Sequence, residues 1–279
     1  MKKKLYDFND KHLGETIYII GSAPTINKLD DRHLEGFKDK VVIGVNYSHL
    51  KVKNLNYMIT GHVDSLAYML EYGPKDIPIF AHYSKQTAYA IEVWSSERVI
   101  KMWDLPPSTP LPRHATEKNN ICGNTSILLS ATHLAYIMGA SKIVYVGFEE
   151  KSQLHFYNID KKLESEIITN IEKILASRKY WNPINYSPDW RGISNKVNVH
   201  SAFEVLLNKC NNAPPEQPQF NRELDDLKNT PFNPSWNNVI NFSAYVSYLN
   251  QSNVATHTIE EEGIAIESGC EKITLDSLL

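Results

Sequence analysis

The sequence predicts an α/β fold of the Rossmann-like type, in which a mostly parallel sheet carries helices on both faces. Short, wholly apolar segments recur along the first half of the chain, as is typical of strands buried on both faces. Two of these segments end in a glycine, Gly21 and Gly147. The helical segment Thr125–Met138 is followed by Gly139 and then by the strand Lys142–Gly147, which is the order of a βαβ unit.

The remaining strands and helices are each predicted from a local sequence pattern. The remaining predicted strands are Ile17–Ile20, Lys38–Val45, Asn56–Thr60, Ile77–Ala81 and Ser96–Met102, with a helical stretch at Asp30–Gly36. Lys161–Lys179 and Ser201–Asn211 predict helices. Tyr180–Lys196 is rich in Trp, Tyr, Asn and Pro without periodicity, and we interpret it as a lid-like irregular segment, with an inert structured loop as the alternative. We expect a nucleotide-binding α/β core at 1–160, the helix and lid-like segment at 161–200, and a C-terminal part at 201–279 that completes the same domain.

The composition gives no support to several classes of protein. The formal net charge of -3 over 279 residues provides no general attraction to polyanions. The three cysteines form neither a CxxC pair nor a zinc pattern, as expected for free thiols in a reducing compartment. The N-terminal residues lack the apolar run of a signal peptide, and no stretch approaches the ~20 apolar residues of a spanning helix. We therefore expect a cytoplasmic protein without a transmembrane segment, and a homo-oligomer remains open.

Candidate binding residues follow the predicted strands, because open α/β sheets bind ligands beyond the carboxyl ends of their strands. The loop GSAPT contains Gly21, Ser22, Pro24 and Thr25, and we expect it to hold a nucleotide phosphate near a helix N-terminus. A plain strand-to-helix turn is the alternative. Asn46 ends the second strand and is predicted to face the same crevice. The later strand ends at Gly147, which Phe148 and Glu149 follow.

Two further sites come from helix starts. Asn124, Thr125 and Ser126 open the long helix, where free amides and hydroxyls favour an anion, although a plain N-cap explains them equally. His200 stands between a strand-like piece and a helix, which makes it a candidate catalytic base. The chain has no GxGxxG, no GxxxxGK[ST], no HExxH and no Asp-x-Asp, so we expect a metal-independent reaction without a cofactor.

Together these segments resemble the family 42 bacterial sialyltransferases and the wider group with the flagellar motility-accessory glycosylation proteins and the 6-hydroxymethylpterin pyrophosphokinases. IYIIGSAPTINKLD is similar to the family's first strand and G-x-G-P-S-L loop, with Ala23 and Thr25 as departures. VVIGVNYSHL resembles its second strand, and SILLSATHLAYIMGASKIVYVGFEE its helix–Gly–strand block, with Glu149 in the place of an Asp. VNVHSAFEVLL resembles its His-Ser pair before a helix. The resemblance covers roughly residues 15 to 210.

The resemblance implies a glycosyltransferase that moves a sugar from a nucleotide-sugar donor, CMP-sialic acid or another, to an acceptor hydroxyl. Asn46 would contact the donor, Tyr157 would assist the departing phosphate, and His200 would be the general base. The acceptor is open between a glycan, a protein and a modified nucleic-acid base. One alternative is a pyrophosphokinase-like enzyme that uses ATP and magnesium, for which Asp64, Glu149 and Glu150 are the candidate ligands. A non-catalytic nucleotide-binding protein is the other alternative.

Overall fold

The computed structural model describes residues 2–82, 96–105, 109–118, 120–123, 126–148, 155–176 and 236–279. Within these ranges, nine strands form one sheet in the order β6-β5-β4-β3-β2-β1-β7-β8-β9, and every neighbouring pair is parallel. The strands are β1 Thr16–Ile20, β2 Val41–Val45, β3 Tyr57–Thr60, β4 Ile79–His82, β5 Val99–Leu105, β6 Asn120–Cys122, β7 Lys142–Val146, β8 Ala255–Thr258 and β9 Glu271–Lys272. The predicted Rossmann-like α/β fold is therefore confirmed.

The helices cover both faces of this sheet. They are α1 Asp31–Glu35, α2 Val63–Glu71, α3 Ile127–Ile137, α4 Phe156–Ile159, α5 Lys161–Ala176, α6 Trp236–Gln251 and α7 Ile264–Glu267. The 3₁₀ turn Asn46–Leu50 follows β2 directly, and another, Pro24–Lys28, follows β1 after Gly21, Ser22 and Ala23. Because side chains alternate along a strand, Ile17 and Ile19 of β1 join the core that includes α3 and α6. Tyr18 and Ile20 join the core on the other face, with α2 and α5.

The central strands β1, β2 and β7 are mostly apolar, as expected where both faces of a sheet are covered. Every residue of β2 is buried, as are the last four residues of β1 and of β7. This is the burial expected of central parallel strands. Helix α3 is buried on nearly all sides, from Leu128 to Ile137. It ends at Ile137, and Gly139, which follows the C-cap Met138, has a φ of 96°, the left-handed conformation that glycine adopts readily after a helix.

Several elements differ from the prediction made from sequence. Strand β5 extends to Leu105 rather than ending at Met102, because its last three residues pair with β6. The N-cap of α3 is Ser126, so the helix begins two residues after the predicted start at Thr125. Helices α2 and α6 and strands β6, β8 and β9 were not predicted. The expected lid-like segment Tyr180–Lys196 and the expected helix Ser201–Asn211 lie outside the described residues.

Among the helices of the described residues, none combines the length and apolar character that crossing a membrane requires.

Candidate functional site

The strand order changes direction between β1 and β7. From β1 the chain continues to β2 on one side, whereas β7 pairs with β8 on the other. The carboxyl ends of β1 and β7 therefore flank the crevice in which open α/β sheets bind their ligands. Gly21 follows β1 and Gly147 follows β7, so the two glycines predicted from the sequence meet at this point.

The loops after β1 and β7 are in direct contact. The Gly21 amide donates to the Val146 carbonyl at 2.7 Å, and the Ala23 amide donates to the Gly147 carbonyl at 3.0 Å. A Cβ added at Gly21 would overlap the Gly147 carbonyl oxygen and lie 2.9 Å from two atoms of the Phe148 ring. Gly21 is therefore required where the two loops pack together.

A buried carboxylate holds the turn after β7. Glu260 follows β8 and is 1 % exposed, and its carboxylate accepts hydrogen bonds from the amides of Gly147 at 2.5 Å and Phe148 at 3.3 Å. The Thr258 hydroxyl donates to the other carboxylate oxygen. Burial raises the pKa of Glu260 despite these bonds. Because Glu260 occupies both amides, Gly147 and Phe148 contribute to the site through the shape of their turn.

The turn that carries Tyr157 docks on the loop after β1. The Phe156 amide donates to the Ser22 carbonyl at 2.9 Å, and the Asn27 side chain donates to the Phe156 carbonyl at 3.4 Å. The Ser22 hydroxyl in turn contacts the Val45 carbonyl at 3.4 Å, at the end of β2. These contacts join the ends of β1 and β2 to the start of α4.

Two buried tyrosines lie side by side behind this loop. The rings of Tyr47 and Tyr157 are 5.4 Å apart in an edge arrangement, and the His155 ring stacks on Tyr157 at 5.0 Å. The Tyr47 hydroxyl donates to the buried carboxylate of Asp64 at 2.8 Å. No described residue accepts a hydrogen bond from the Tyr157 hydroxyl. Burial, followed by the charge of Asp64, raises the pKa of both tyrosines well above 10, so both phenols stay protonated.

Asn46 is a partly exposed polar residue directly after β2. It is half-buried and has a φ of 50°, a left-handed conformation that asparagine tolerates better than most residues. Its side-chain oxygen accepts a hydrogen bond from the Thr60 hydroxyl at 2.8 Å, at the end of β3. The geometry therefore orients the Asn46 amide at the carboxyl edge of the sheet.

The structure brings together most of the described residues that the sequence singled out. Gly21, Ser22, Thr25, Gly147, Phe148 and Tyr157 are buried around the switch point, whereas Pro24 and Asn46 are partly exposed. The Thr25 hydroxyl is buried and has no hydrogen-bond partner among the described residues. The Ser126 amide donates to the Gly123 carbonyl at 3.0 Å, within the turn that precedes α3. His200, Asn124, Thr125 and Glu149 lie outside the described residues.

The described residues contain no group of three or more His, Cys, Asp or Glu side chains placed to hold a metal ion. Of the three candidate magnesium ligands, the structure describes Asp64. Its carboxylate is buried and accepts a hydrogen bond from the Tyr47 hydroxyl. Glu149 and Glu150 lie in a stretch that the structure leaves undescribed.

Two residues of the site were missed from the sequence. Thr60 ends a predicted strand, so the rule that pointed to Asn46 could have found it. Glu260 gave no such signal, because β8 was not predicted and only its pairing with β7 brings Glu260 to the crevice.

No family model matches the chain, and no curated protein shows a significant match.

Proposed function

We propose that this chain is a glycosyltransferase that takes its sugar from a nucleotide-linked donor, CMP-sialic acid or another, without a metal ion. The proposal rests on the resemblance described above and on one structural observation. The Phe156–Ser22 hydrogen bond of 2.9 Å joins the Tyr157 turn to the loop after β1, where nucleotide phosphate was expected from the sequence. A residue expected to assist the leaving group thus belongs to the same packed unit as the expected phosphate loop.

The Tyr157 hydroxyl is suited to donate a hydrogen bond to a departing phosphate. Its raised pKa keeps the phenol protonated at neutral pH, and in the described part of the chain nothing competes for that proton. Tyr47 differs, because Asp64 already accepts its hydroxyl proton. Donors fixed in advance toward a developing negative charge are usually the largest catalytic contribution. Tyr157 would therefore stabilise the phosphate as the bond to the anomeric carbon breaks.

The remaining roles follow the resemblance. His200 would take the proton from the acceptor hydroxyl as the new glycosidic bond forms, a step typically worth about 10²–10⁴-fold. Asn46 and the loop from Gly21 to Thr25 would hold the nucleotide. The acceptor class stays open between a glycan, a protein and a modified nucleic-acid base.

The direct test needs no known acceptor, because such enzymes hydrolyse their donors slowly. Purified protein is incubated with CMP-sialic acid and a panel of UDP- and GDP-sugars, with and without EDTA, and release of free nucleotide is followed. We expect release from one donor class that EDTA does not reduce. Nucleotide binding without release, even with a wide panel of acceptors, would identify a non-catalytic binding protein. Turnover that requires ATP and magnesium would identify the pyrophosphokinase-like alternative.

A matched pair of tyrosine variants tests the leaving-group role. Tyr157→Phe removes one hydroxyl beside the loop and keeps the ring, so we expect donor cleavage to fall about 10²-fold. Tyr145→Phe is the control, because Tyr145 is equally buried but belongs to the core on the opposite face, where its hydroxyl contacts Thr132 at 3.1 Å. Equal activities of the two variants would remove Tyr157 from the mechanism. His200→Ala should abolish transfer to an acceptor.

A further inference from the structure

The contact between Asn46 and Thr60 determines which end of the Asn46 amide is available to a ligand. The amide oxygen and nitrogen of an asparagine are assigned from their hydrogen-bond partners, so the proton of the Thr60 hydroxyl decides the orientation. Thr60 is fully buried at the end of β3, and its side-chain oxygen lies 2.8 Å from Asn46 Oδ1.

The neighbouring contacts assign that proton to Asn46. The His62 amide donates to Thr60 Oγ1 at 3.1 Å, so this oxygen already serves as an acceptor. The hydroxyl has a single hydrogen to give, and among the described residues its possible acceptors are Asn46 Oδ1 at 2.8 Å and the His62 carbonyl at 3.4 Å. The shorter contact has the length usual for an O–H···O bond, whereas the longer one is at the limit. Asn46 therefore accepts through Oδ1, and its Nδ2 group remains as a donor.

That donor is not used within the described part of the protein. Among the described residues, Asn46 Nδ2 has no hydrogen-bond acceptor, and the side chain is half-exposed at the edge where ligands of such sheets bind. The left-handed backbone of Asn46 costs free energy of order 1 kcal/mol even in a residue that tolerates it. A strained residue whose side chain is held at one end and unused at the other is typical of a binding position.

We propose that Thr60 is a positioning residue that fixes the polarity of the Asn46 amide, so that Nδ2 donates to an oxygen atom of the bound nucleotide. The inference rests on the proposed function, which supplies the nucleotide. The ligand atom that contacts Asn46 is then a hydrogen-bond acceptor, such as a phosphate, ribose or base-carbonyl oxygen. Thr60 imposes this choice without touching the ligand.

The test is a set of variants at the two positions, with CMP, UDP and GDP as the probes in equilibrium binding measurements. Asn46→Gly removes the side chain and permits the same backbone conformation, and it should weaken the best-binding probe about 10-fold. Thr60→Val keeps the shape of the side chain without its hydroxyl and should weaken that probe about 3- to 10-fold. Thr60→Ser keeps the hydroxyl and should bind within about 2-fold of the wild type.

The double variant separates positioning from a general structural effect. In the Asn46→Gly background, Thr60→Val should cause no further loss, because there is no amide left to orient. An equal loss in both backgrounds would overturn the inference, as would wild-type affinity of Thr60→Val. Asn46→Asp keeps the acceptor for Thr60 and removes the donor, so it should bind at least as weakly as Asn46→Gly even where Thr60→Val fails to fold. Wild-type affinity of Asn46→Asp would overturn the inference.

Failure of the proposed function has a different signature. If none of the three probes binds the wild-type protein, both the nucleotide site and the role of Thr60 are wrong. If a probe binds and Asn46→Gly weakens it while Thr60→Val does not, the nucleotide site stands and the positioning role alone is overturned.

Discussion

Replacing Gly21 with alanine tests whether the loops after β1 and β7 pack as described. The added Cβ would overlap the Gly147 carbonyl oxygen and lie 2.9 Å from the Phe148 Cε1 and Cζ atoms. A flexible side chain can move away from such a contact at little cost, but a backbone carbonyl cannot. The Gly147 carbonyl also accepts the Ala23 amide at 3.0 Å, so moving it would weaken a hydrogen bond between the two loops.

The expected magnitude follows from the nature of the obstacle. Overpacking of a close-packed interior typically costs about 1–3 kcal/mol, and a backbone obstacle places Gly21→Ala near the upper end, at about 3 kcal/mol. For a protein of this size each 1 kcal/mol shifts the melting temperature by roughly 2–4 °C, so we expect a decrease of about 6–12 °C. If the loop from Gly21 to Thr25 holds a nucleotide phosphate as proposed, nucleotide binding should weaken in parallel, because the loop would be displaced.

Gly61→Ala is the matched control. Gly61 also follows a strand directly, at the end of β3, but a Cβ there would lie 3.4 Å from the nearest atom, His82 Nδ1, which is ordinary van der Waals distance. Its stability should stay within about 1 kcal/mol of the wild type. Thermal unfolding followed by circular dichroism compares the two variants directly. A Gly21→Ala protein that melts within about 2 °C of Gly61→Ala would refute the packing argument.

A second variant identifies which neighbour resists the new methyl group. Phe148→Ala removes the ring contacts of Gly21→Ala and leaves the Gly147 carbonyl in place. The double variant should therefore remain less stable than Phe148→Ala alone. Equal stability of Phe148→Ala and the double variant would show that the ring, and not the backbone, requires the glycine.

Two predictions concern the dependence of stability on pH. The folded-state pKa of Glu260 is raised above its ordinary 4.5, so its ionisation disfavours the folded state, and the free energy of unfolding should fall as pH rises from 4.5 through the folded pKa. Urea unfolding measured from pH 4.5 to 8 should show this pH dependence in the wild-type protein but not in Glu260→Gln. The same pH dependence of the free energy of unfolding in both proteins would contradict the prediction. His133 accepts from the Cys122 amide and contacts the Pro112 carbonyl, each at 2.8 Å, and burial lowers its pKa from 6.5 to about 4. The free energy of unfolding should therefore fall by about 3 kcal/mol as pH drops from 6.5 to 4. NMR should show no titration of the His133 ring above pH 5. An NMR titration midpoint near pH 6.5 would refute the burial of His133 as a neutral ring.

The parts of the fold that the sequence predicted are those with strong local patterns. Segments such as IYII and VVIGV are apolar at every position, and only a strand covered on both faces explains so short a run followed by a turn. Strands without a strong apolar pattern were not predicted from the sequence. Strand β8 has the sequence ATHT, which is not apolar, and it forms because β7 offers it an unpaired edge. Strand β6 is three residues long and depends on the extension of β5.

In the candidate site, too, residues with a local sequence pattern were predicted, and residues placed by tertiary contacts were not. Gly21, Asn46 and Gly147 were found from the sequence because each directly follows a strand, and the carboxyl ends of parallel strands share one edge. Their partners were not found, since a hydrogen bond such as that between the Thr60 hydroxyl and Asn46 depends on the register of two strands. The structure also gives a reason for Gly21 that the sequence did not, its close contact with the Gly147 carbonyl.

The sequence by itself determined the class of the fold, the positions of its central strands and the places where the chain turns at their ends. These properties depend on residues a few positions apart, and hydrophobic periodicity and glycine report them directly. The tertiary structure alone decided that β8 lies beside β7, which brings Glu260 to the Gly147 amide, 113 residues earlier in the chain. It also decided that the Asn46 side-chain oxygen accepts a hydrogen bond from Thr60. Both results arise from pairing between distant segments, which no local pattern encodes.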